Sequence, residues 1–291
     1  MTHPPQPRDA TRLVALERLL PSPLMKASAL VHIAAAGTLL RPSLWPWALG
    51  AVVGNHLVLA ASGLTPRSTL LGPNLTHLPP AAAAGRAIAI TIDDGPEPSV
   101  TPRVLDCLDE SRARATFFCI GERVARFPAL AREIVRRGHA IENHSQSHRA
   151  YFSLLGPRAI GREVSQAQQA IGAATGTQPL FFRAPAGLRN PLLQPVLARL
   201  GLQLASWTRR GFDTVRRDAD GVLARLTRGL RAGDILLLHD GAAARTVRGV
   251  PVILEVLPRL LEHCAAASLT CVTLRSSLSV PLQASAAPQQ Q

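Results

Sequence analysis

The 291-residue chain has only four cysteines and a single lysine, Lys26, and aromatic residues make up just 4% of it. So few cysteines exclude a disulfide scaffold, and no C-x-x-C pair or zinc-finger spacing occurs. Charged residues amount to 18%, below the quarter or so usual in soluble globular proteins. Apolar residues nevertheless reach 47%, which excludes a mainly disordered chain. Acidic residues are scarce, 19 against 32 basic, and the formal charge is +13. Such a balance points to an anionic partner. Nucleic acid is not expected, because the arginines form no block and no basic stripe alternates with aromatics. Solvated helix faces, anionic lipid or an acidic glycan remain.

Residues 1–23 are polar and punctuated by proline, with Arg8, Arg12 and Arg18. Residues 24–64 form a hydrophobic region of two stretches, Ala27–Leu40 and Leu44–Leu64. The second lacks formal charge and meets the roughly 20-residue length of a bilayer-spanning helix. The first reaches it when Leu24–Lys26 is included and Lys26 snorkels. A helical hairpin turning at Arg41–Ser43 and a single span both fit. A cleaved signal peptide fits worst, since the apolar region starts late and lacks a convincing A-x-A site. Core helices of a soluble protein are the alternative. Basic residues ahead of the stretches favour a cytoplasmic N-terminus at a bacterial inner membrane, with the side of the remaining chain open.

Residues 65–86, rich in Pro, Gly and Ala, read as a linker. From Ala87 the pattern alternates strand and helix. Strand-like runs occur at 87–92, 115–120, 139–142, 180–183, 203–207, 234–238 and 269–274. Helical patterns include Glu122–Arg137, Arg158–Thr175, Pro191–Leu200, Ala219–Arg231 and Val250–Ala266. This predicts one α/β domain over 87–275 with a mainly parallel sheet. The Ser/Ala/Pro/Gln-rich tail 276–291 is expected to be disordered.

In such a sheet, chemistry collects beyond the carboxyl ends of the strands. Residues Thr91-Ile92-Asp93-Asp94-Gly95-Pro96 place two carboxylates at a strand end, and the Gly-Pro turn lets both face a site. His144 and His148 stand four apart, the spacing that puts two imidazoles on one face of a helical turn. Two imidazoles with a strand-end aspartate suit zinc or a similar divalent ion and leave positions for water and substrate. Arg183 precedes a rigid Pro-x-Gly turn and can orient a carboxylate. His239 closes an apolar strand and is an acid/base candidate. Each of these residues alone could merely cap a helix. Cys107, Cys119, Cys264 and Cys271 read as buried free thiols.

Taken in order, TIDDGP, HSQSH, RAPAG, WTRRGFD and LLLHD resemble the five motifs of the polysaccharide deacetylases, the NodB-homology carbohydrate esterases of family 4. The resemblance covers about residues 87–275. It implies a distorted (β/α)7-type barrel and a hydrolase acting on carbon–nitrogen, non-peptide bonds. It implies Asp93 as general base and Asp94, His144 and His148 as ligands of a divalent metal, zinc first, with cobalt or another transition metal as alternatives. Arg183 resembles the residue that orients the base, His239 the general acid and Asp213 its partner. Leu237 matches the leucine of the acyl pocket, and a backbone N–H near Ala186 matches an oxyanion donor.

The chain departs from the pattern where aromatics are common, at Ala186 and Thr214. Trp207 offers either replacement substrate surface or a core residue at a strand end. Arg209 and Arg210 stand beside the site, either meeting a phosphate or uronate or simply solvated. The expected activity is deacetylation of an amino-sugar glycan, with membrane association through the N-terminal region. A lipid-linked amino sugar carrying an acetyl or formyl group and a silent carbohydrate-binding relative are the alternatives.

Overall fold

A computed structural model of the protein describes residues 20–278. The expectations for most of segment 1–23, with Arg8, Arg12 and Arg18, and for the tail after Leu278 lie outside the described residues. Two apolar helices come first, α1 (Pro23–Gly37) and α2 (Trp45–Leu64), joined by short 3-10 turns around Arg41. With their flanking 3-10 turns, as Pro23–Leu40 and Pro42–Leu64, both are long and apolar enough to cross a membrane. They pack on each other as a hairpin. Their few polar groups meet across the seam: Asn55 Nδ2 donates to Ser28 Oγ at 2.9 Å, and the His32 ring lies edge-on to His56. Polar pairing of this kind satisfies groups that an apolar environment would otherwise leave unpaired. Large apolar side chains point outward, Leu40 at 92% exposure and Trp47 at 80%.

The hairpin is tied to the remainder of the chain at both ends. Ser22 Oγ donates to the Leu70 carbonyl, and the Arg189 N–H donates to the Gly63 carbonyl. A Cβ at Gly63 would come within 2.2 Å of the Arg189 carbonyl oxygen, so only glycine permits this approach.

Helix α3 (Pro80–Ala84) leads into β1 (Ala87–Asp93), α4 (Thr101–Glu110), β2 (Ala115–Cys119), α5 (Gly121–Arg126), α6 (Pro128–Arg136) and β3 (Ala140–Asn143). Then follow α7 (Pro157–Thr175), β4 (Phe181–Phe182), α8 (Leu193–Arg199), β5 (Gln203–Leu204) and β6 (Arg209–Arg210). The chain continues with α9 (Ala219–Thr227), β7 (Ile235–His239), α10 (Ile253–Ala266), β8 (Thr270–Cys271) and α11 (Leu274–Leu278).

The sheet has eight strands in the order β5-β4-β3-β2-β1-β7-β6, with β8 paired to the start of β1. All these strand pairs are parallel. Seven strands are expected from the sequence; β6 is the addition. Its two arginines carry no apolar alternation, so only pairing with Leu236 and Leu237 of β7 reveals it. The expected helix Glu122–Arg137 is two helices, because Pro128 starts a new one after Phe127. The expected break at 276 falls inside α11.

The 65–86 segment does more than link. Leu75 bridges to Ala205 beyond β5, and His77 bridges to Asp234 at the foot of β7. The Leu75 N–H donates to the Leu204 carbonyl, and the Leu78 N–H donates to the Gly233 carbonyl. This strip closes the gap between the two ends of the curled sheet.

Alternation along β1 sets the two faces. Ile88, Ile90 and Ile92 pack outward against the helices, while Ala87 and Ala89 face the interior of the curl. Asp93 continues the inward row. The register then places Asp93 beside both Phe118 and His239. Arg275 of α11 pairs with buried Glu142 of β3 at 2.5 Å.

Buried His139 packs edge-on against Phe117, and its Nδ1 accepts the Ala115 N–H at 3.3 Å. Burial, with Arg114 beside it, pushes its pKa from 6.5 down to about 4. Between those values the unfolded chain binds the extra proton, so stability falls as pH drops through this window. The expected loss is on the order of 3 kcal/mol. Denaturant melts from pH 7 to 4 should show a flatter slope for His139→Asn, which keeps an acceptor but does not titrate. Identical slopes would remove His139 from the account.

Candidate active site

A cavity of about 230 Å³ opens at the carboxyl end of the sheet. Asp93, Asp94, His144, His148 and His239 line it, with Ala186, Trp207 and Leu237 as walls. Arg183 and Asp213 stand behind the lining, each touching a residue that forms it, and of the two arginines expected beside the site Arg210 lines the cavity while Arg209 does not.

Asp93 and Asp94 both reach the cavity because the chain turns sharply between them. Asp94 adopts a left-handed φ of 74°, uncommon for a non-glycine residue. Asp94 Oδ1 lies 3.3 Å from His144 Nε2 and 3.2 Å from His148 Nε2. The ligand atoms of these three residues all lie within 4.8 Å of one another.

The two histidines do not sit on a helical turn, contrary to the expectation from their spacing. Ser145 and His148 are both left-handed, and side chains replace the helical ladder. Asn143 Oδ1 accepts the Ser145 N–H, Ser145 Oγ accepts the His148 N–H, and Glu163 accepts both the N–H and the hydroxyl of Ser147. Loop bonding thus brings the rings to a centroid separation of 4.8 Å.

The donor set suits a divalent cation. Asp94 Oδ1 is buried with no hydrogen-bond partner. His144 Nδ1 bonds the Arg183 carbonyl at 2.8 Å; it must be the protonated nitrogen, which leaves the Nε2 lone pair facing Asp94. Burial would lower the proton affinity of His144, yet Asp93 and Asp94 raise it, so the site attracts positive charge. Burial likewise opposes ionisation of Asp94, but His144, His239 and His148 hold it well below the usual carboxylate range.

Asp93 has one occupied oxygen. Arg183 donates to Asp93 Oδ1 at 2.6 Å, while Oδ2 lies 3.7 Å from His144 Nε2. Arg183 is 1% exposed and also donates to Thr91 Oγ1 and to the carbonyls of Ala205 and Ser206. Its guanidinium stacks 4.1 Å above the Phe118 ring. This fixes one rotamer of a long side chain.

On the strand neighbouring β1, His239 is gripped twice by Asp213. It accepts the His239 backbone N–H at 2.7 Å and bonds Nδ1 at 2.9 Å. The carboxylate requires the proton on Nδ1, which turns Nε2 toward the cavity. Burial opposes charge on His239, but Asp213, Asp93 and Asp94 outweigh it and raise the pKa.

Trp207 is buried in the interior cluster and also forms part of the cavity wall. Gly187 is left-handed and lies beneath it, where a Cβ would come within 2.6 Å of the indole. Asp240 has no role in the reading of the sequence. Burial pushes its carboxyl up to about 7, although the Thr101 hydroxyl donates to it. Its adjacency to His239 in LLLHD was the only available signal. The four cysteines are free thiols, Cys119 and Cys264 buried as expected, Cys107 and Cys271 only half-buried.

At the carboxyl end of an α/β half-barrel stand an Asp/His/His cluster and, in the same cavity, a further carboxylate and imidazole, a set of groups that suits a hydrolase. The profile described as "Polysaccharide deacetylase" matches residues 81–205. A peptidoglycan-N-acetylglucosamine deacetylase of Bacillus cereus is 34% identical over 180 residues, 61% of this chain and 83% of the relative. A chitooligosaccharide deacetylase of Bradyrhizobium sp. (strain ANU 289) is 38% identical over 157 residues, 54% of this chain and 71% of the relative. Among solved structures, a family 4 carbohydrate esterase from Streptomyces lividans in complex with acetate aligns with a TM-score of 0.58 and 32% identity, over 64% of this chain and 91% of that one. The chain belongs to the polysaccharide deacetylase family.

Proposed function

We infer that the protein is a membrane-anchored, metal-dependent deacetylase that hydrolyses the N-acetyl amide of an amino-sugar glycan. The observation that carries this reading is that Asp93 and His239 line the same cavity as the Asp94/His144/His148 cluster. The names of the relatives support the glycan class. The exposed apolar hairpin supports the anchor.

Asp94, His144 and His148 would hold the ion, with zinc the first candidate for two imidazoles and one carboxylate. A divalent ion bound there supplies Lewis acidity, polarising the amide carbonyl and acidifying water. Asp93 takes the water proton at Oδ2, since Arg183 occupies Oδ1. A backbone N–H near Ala186, a residue of the cavity wall, donates to the developing oxyanion. His239, protonated and oriented by Asp213, donates from Nε2 to the departing amine. Leu237 and Trp207 bound the acyl group. Water and amide are consumed; acetate and a free amine result.

Detergent-solubilised protein loaded with zinc or cobalt should release acetate and amine in equal amounts from N-acetylglucosamine oligomers. A chelator should stop release, and added metal should restore it. Release indifferent to chelator would overturn the metal role. No release from any acylated amino sugar would overturn the deacetylase reading. Mass-spectrometric metal analysis should show about one ion per chain, falling to background in His144→Ala.

A further inference from the structure

A second cavity, of about 500 Å³, borders the catalytic one, and arginine dominates its wall. Arg209, Arg210, Arg216, Arg225 and Arg228 line it. Arg209 is neutralised by Asp234 at 2.6 Å and bonds the Arg228 and Gly229 carbonyls. The other four form no ion pair among the described residues. The nearest acids in sequence are occupied: Asp218 caps α9, and Asp220 pairs with Arg259 at 2.6 Å.

These guanidinium groups are held together rather than dispersed. Arg210 and Arg225 both lie over the Phe212 ring, at 5.0 and 5.6 Å from its centroid. Phe212 is 41% exposed and takes a left-handed φ of 61°, so the ring is displayed at some conformational cost. Arg210 also lies 5.6 Å from the Trp207 ring, and its Nε is buried without a partner. On α9, Gly221, Ala224, Arg225 and Arg228 share one face, the small residues leaving room beneath the cations. Like charges gathered around one concavity repel, and an anion entering it relieves that repulsion. Arginine's planar fork matches phosphate oxygens in particular.

We propose that this cavity binds a phosphate or diphosphate group carried by the substrate, while the substrate's acylated sugar occupies the catalytic cavity. Arg210 lines both cavities, so the two groups are neighbours on one molecule. The inference rests on the deacetylase reading for its sugar, but not for its anion. Arg67, just after α2, donates to the Thr208 carbonyl at 3.0 Å and sets the cavity beside the root of the apolar hairpin. A phosphate carried on a lipid-linked sugar meets the protein there. A soluble sugar phosphate offers the same chemistry.

Titration calorimetry of the full metal-loaded chain in detergent with inorganic pyrophosphate should show binding that weakens with salt. Affinity should fall about tenfold or more in Arg225→Gln/Arg228→Gln, with Arg216→Gln intermediate. These side chains are exposed, and thermal melts check that both variants fold. Pyrophosphate bound equally by the double variant would place it on the metal and overturn the proposal. In turnover, wild-type protein should prefer a phosphorylated sugar over neutral N-acetylglucosamine oligomers, and the double variant should reduce that preference about tenfold. Polyprenyl diphosphate N-acetylglucosamine in vesicles outpacing soluble UDP-N-acetylglucosamine identifies the lipid source, and the reverse order the soluble one; either supports the phosphate site. Pyrophosphate binding without deacetylation of any sugar sinks the deacetylase reading alone. Deacetylation of neutral oligomers, with pyrophosphate binding indifferent to the variant, sinks the arginine site alone.

Discussion

Asp93→Asn is expected to lower turnover by about a hundred- to ten-thousandfold while metal content stays near that of the parent protein. Asparagine matches aspartate in shape and still accepts the Arg183 hydrogen bond through its amide oxygen. What it lacks is a site for the water proton. Asp93 is not among the three residues whose ligand atoms cluster, so the ion should remain. The loss of charge beside Arg183 lowers the melting temperature, but Thr91, Ala205 and Ser206 still bind the guanidinium and keep the loop built. Acetate release is therefore measured well below the melting midpoint, alongside metal analysis. Normal activity in a folded, metallated Asp93→Asn protein would falsify the base assignment. His239→Ala should give a comparable loss, again with metal retained.

Arg183→Met should affect stability as strongly as activity. The wild-type guanidinium is buried, pairs with Asp93 and spends its remaining donors on Thr91, Ala205 and Ser206. Methionine roughly fills the volume but leaves Asp93 buried without its counter-charge and two carbonyls without a donor. Breaking a buried pair on one side costs about 3–5 kcal/mol. For a domain of this size, that is a fall in melting temperature on the order of 10 °C. Turnover should fall through kcat rather than KM, because Arg183 orients Asp93 and does not line the cavity. Arg183→Lys should restore part of the stability and less of the rate, since one ammonium cannot reproduce the fork. A melting temperature equal to the parent's in Arg183→Met would show that the pair carries no net stabilisation.

The catalytic end of the sheet was legible because β1 alternates Ala and Ile so regularly and β7 is an unbroken apolar run that ends at His239. Once Ile88, Ile90 and Ile92 face the helices, Asp93 must face inward, and parallel register sets His239 beside it. The family motifs then supplied roles that spacing alone could not. Three features were not legible. The His144–His148 loop takes its shape from Asn143, Ser145 and Glu163, and sequence spacing carries no record of such side-chain bonds. The strand Arg209–Arg210 is defined by its neighbour rather than by its own composition. The Pro-rich stretch ahead of β1 looked like a spacer, because a single strip of backbone pairing needs no hydrophobic pattern.

That strip decides where the protein can be cut. A fragment begun at Ala87, where the strand–helix pattern starts, would strip the Leu204 and Gly233 carbonyls and the Ser206 N–H of their partners. The bare seam would open beside Trp207, turning a sealed wall of the catalytic cavity into an adhesive edge. A fragment begun at Pro66, after the hairpin, keeps the seam sewn. The catalytic unit is therefore longer than its family motifs, and its first stitch lies in the stretch that joins it to the hairpin.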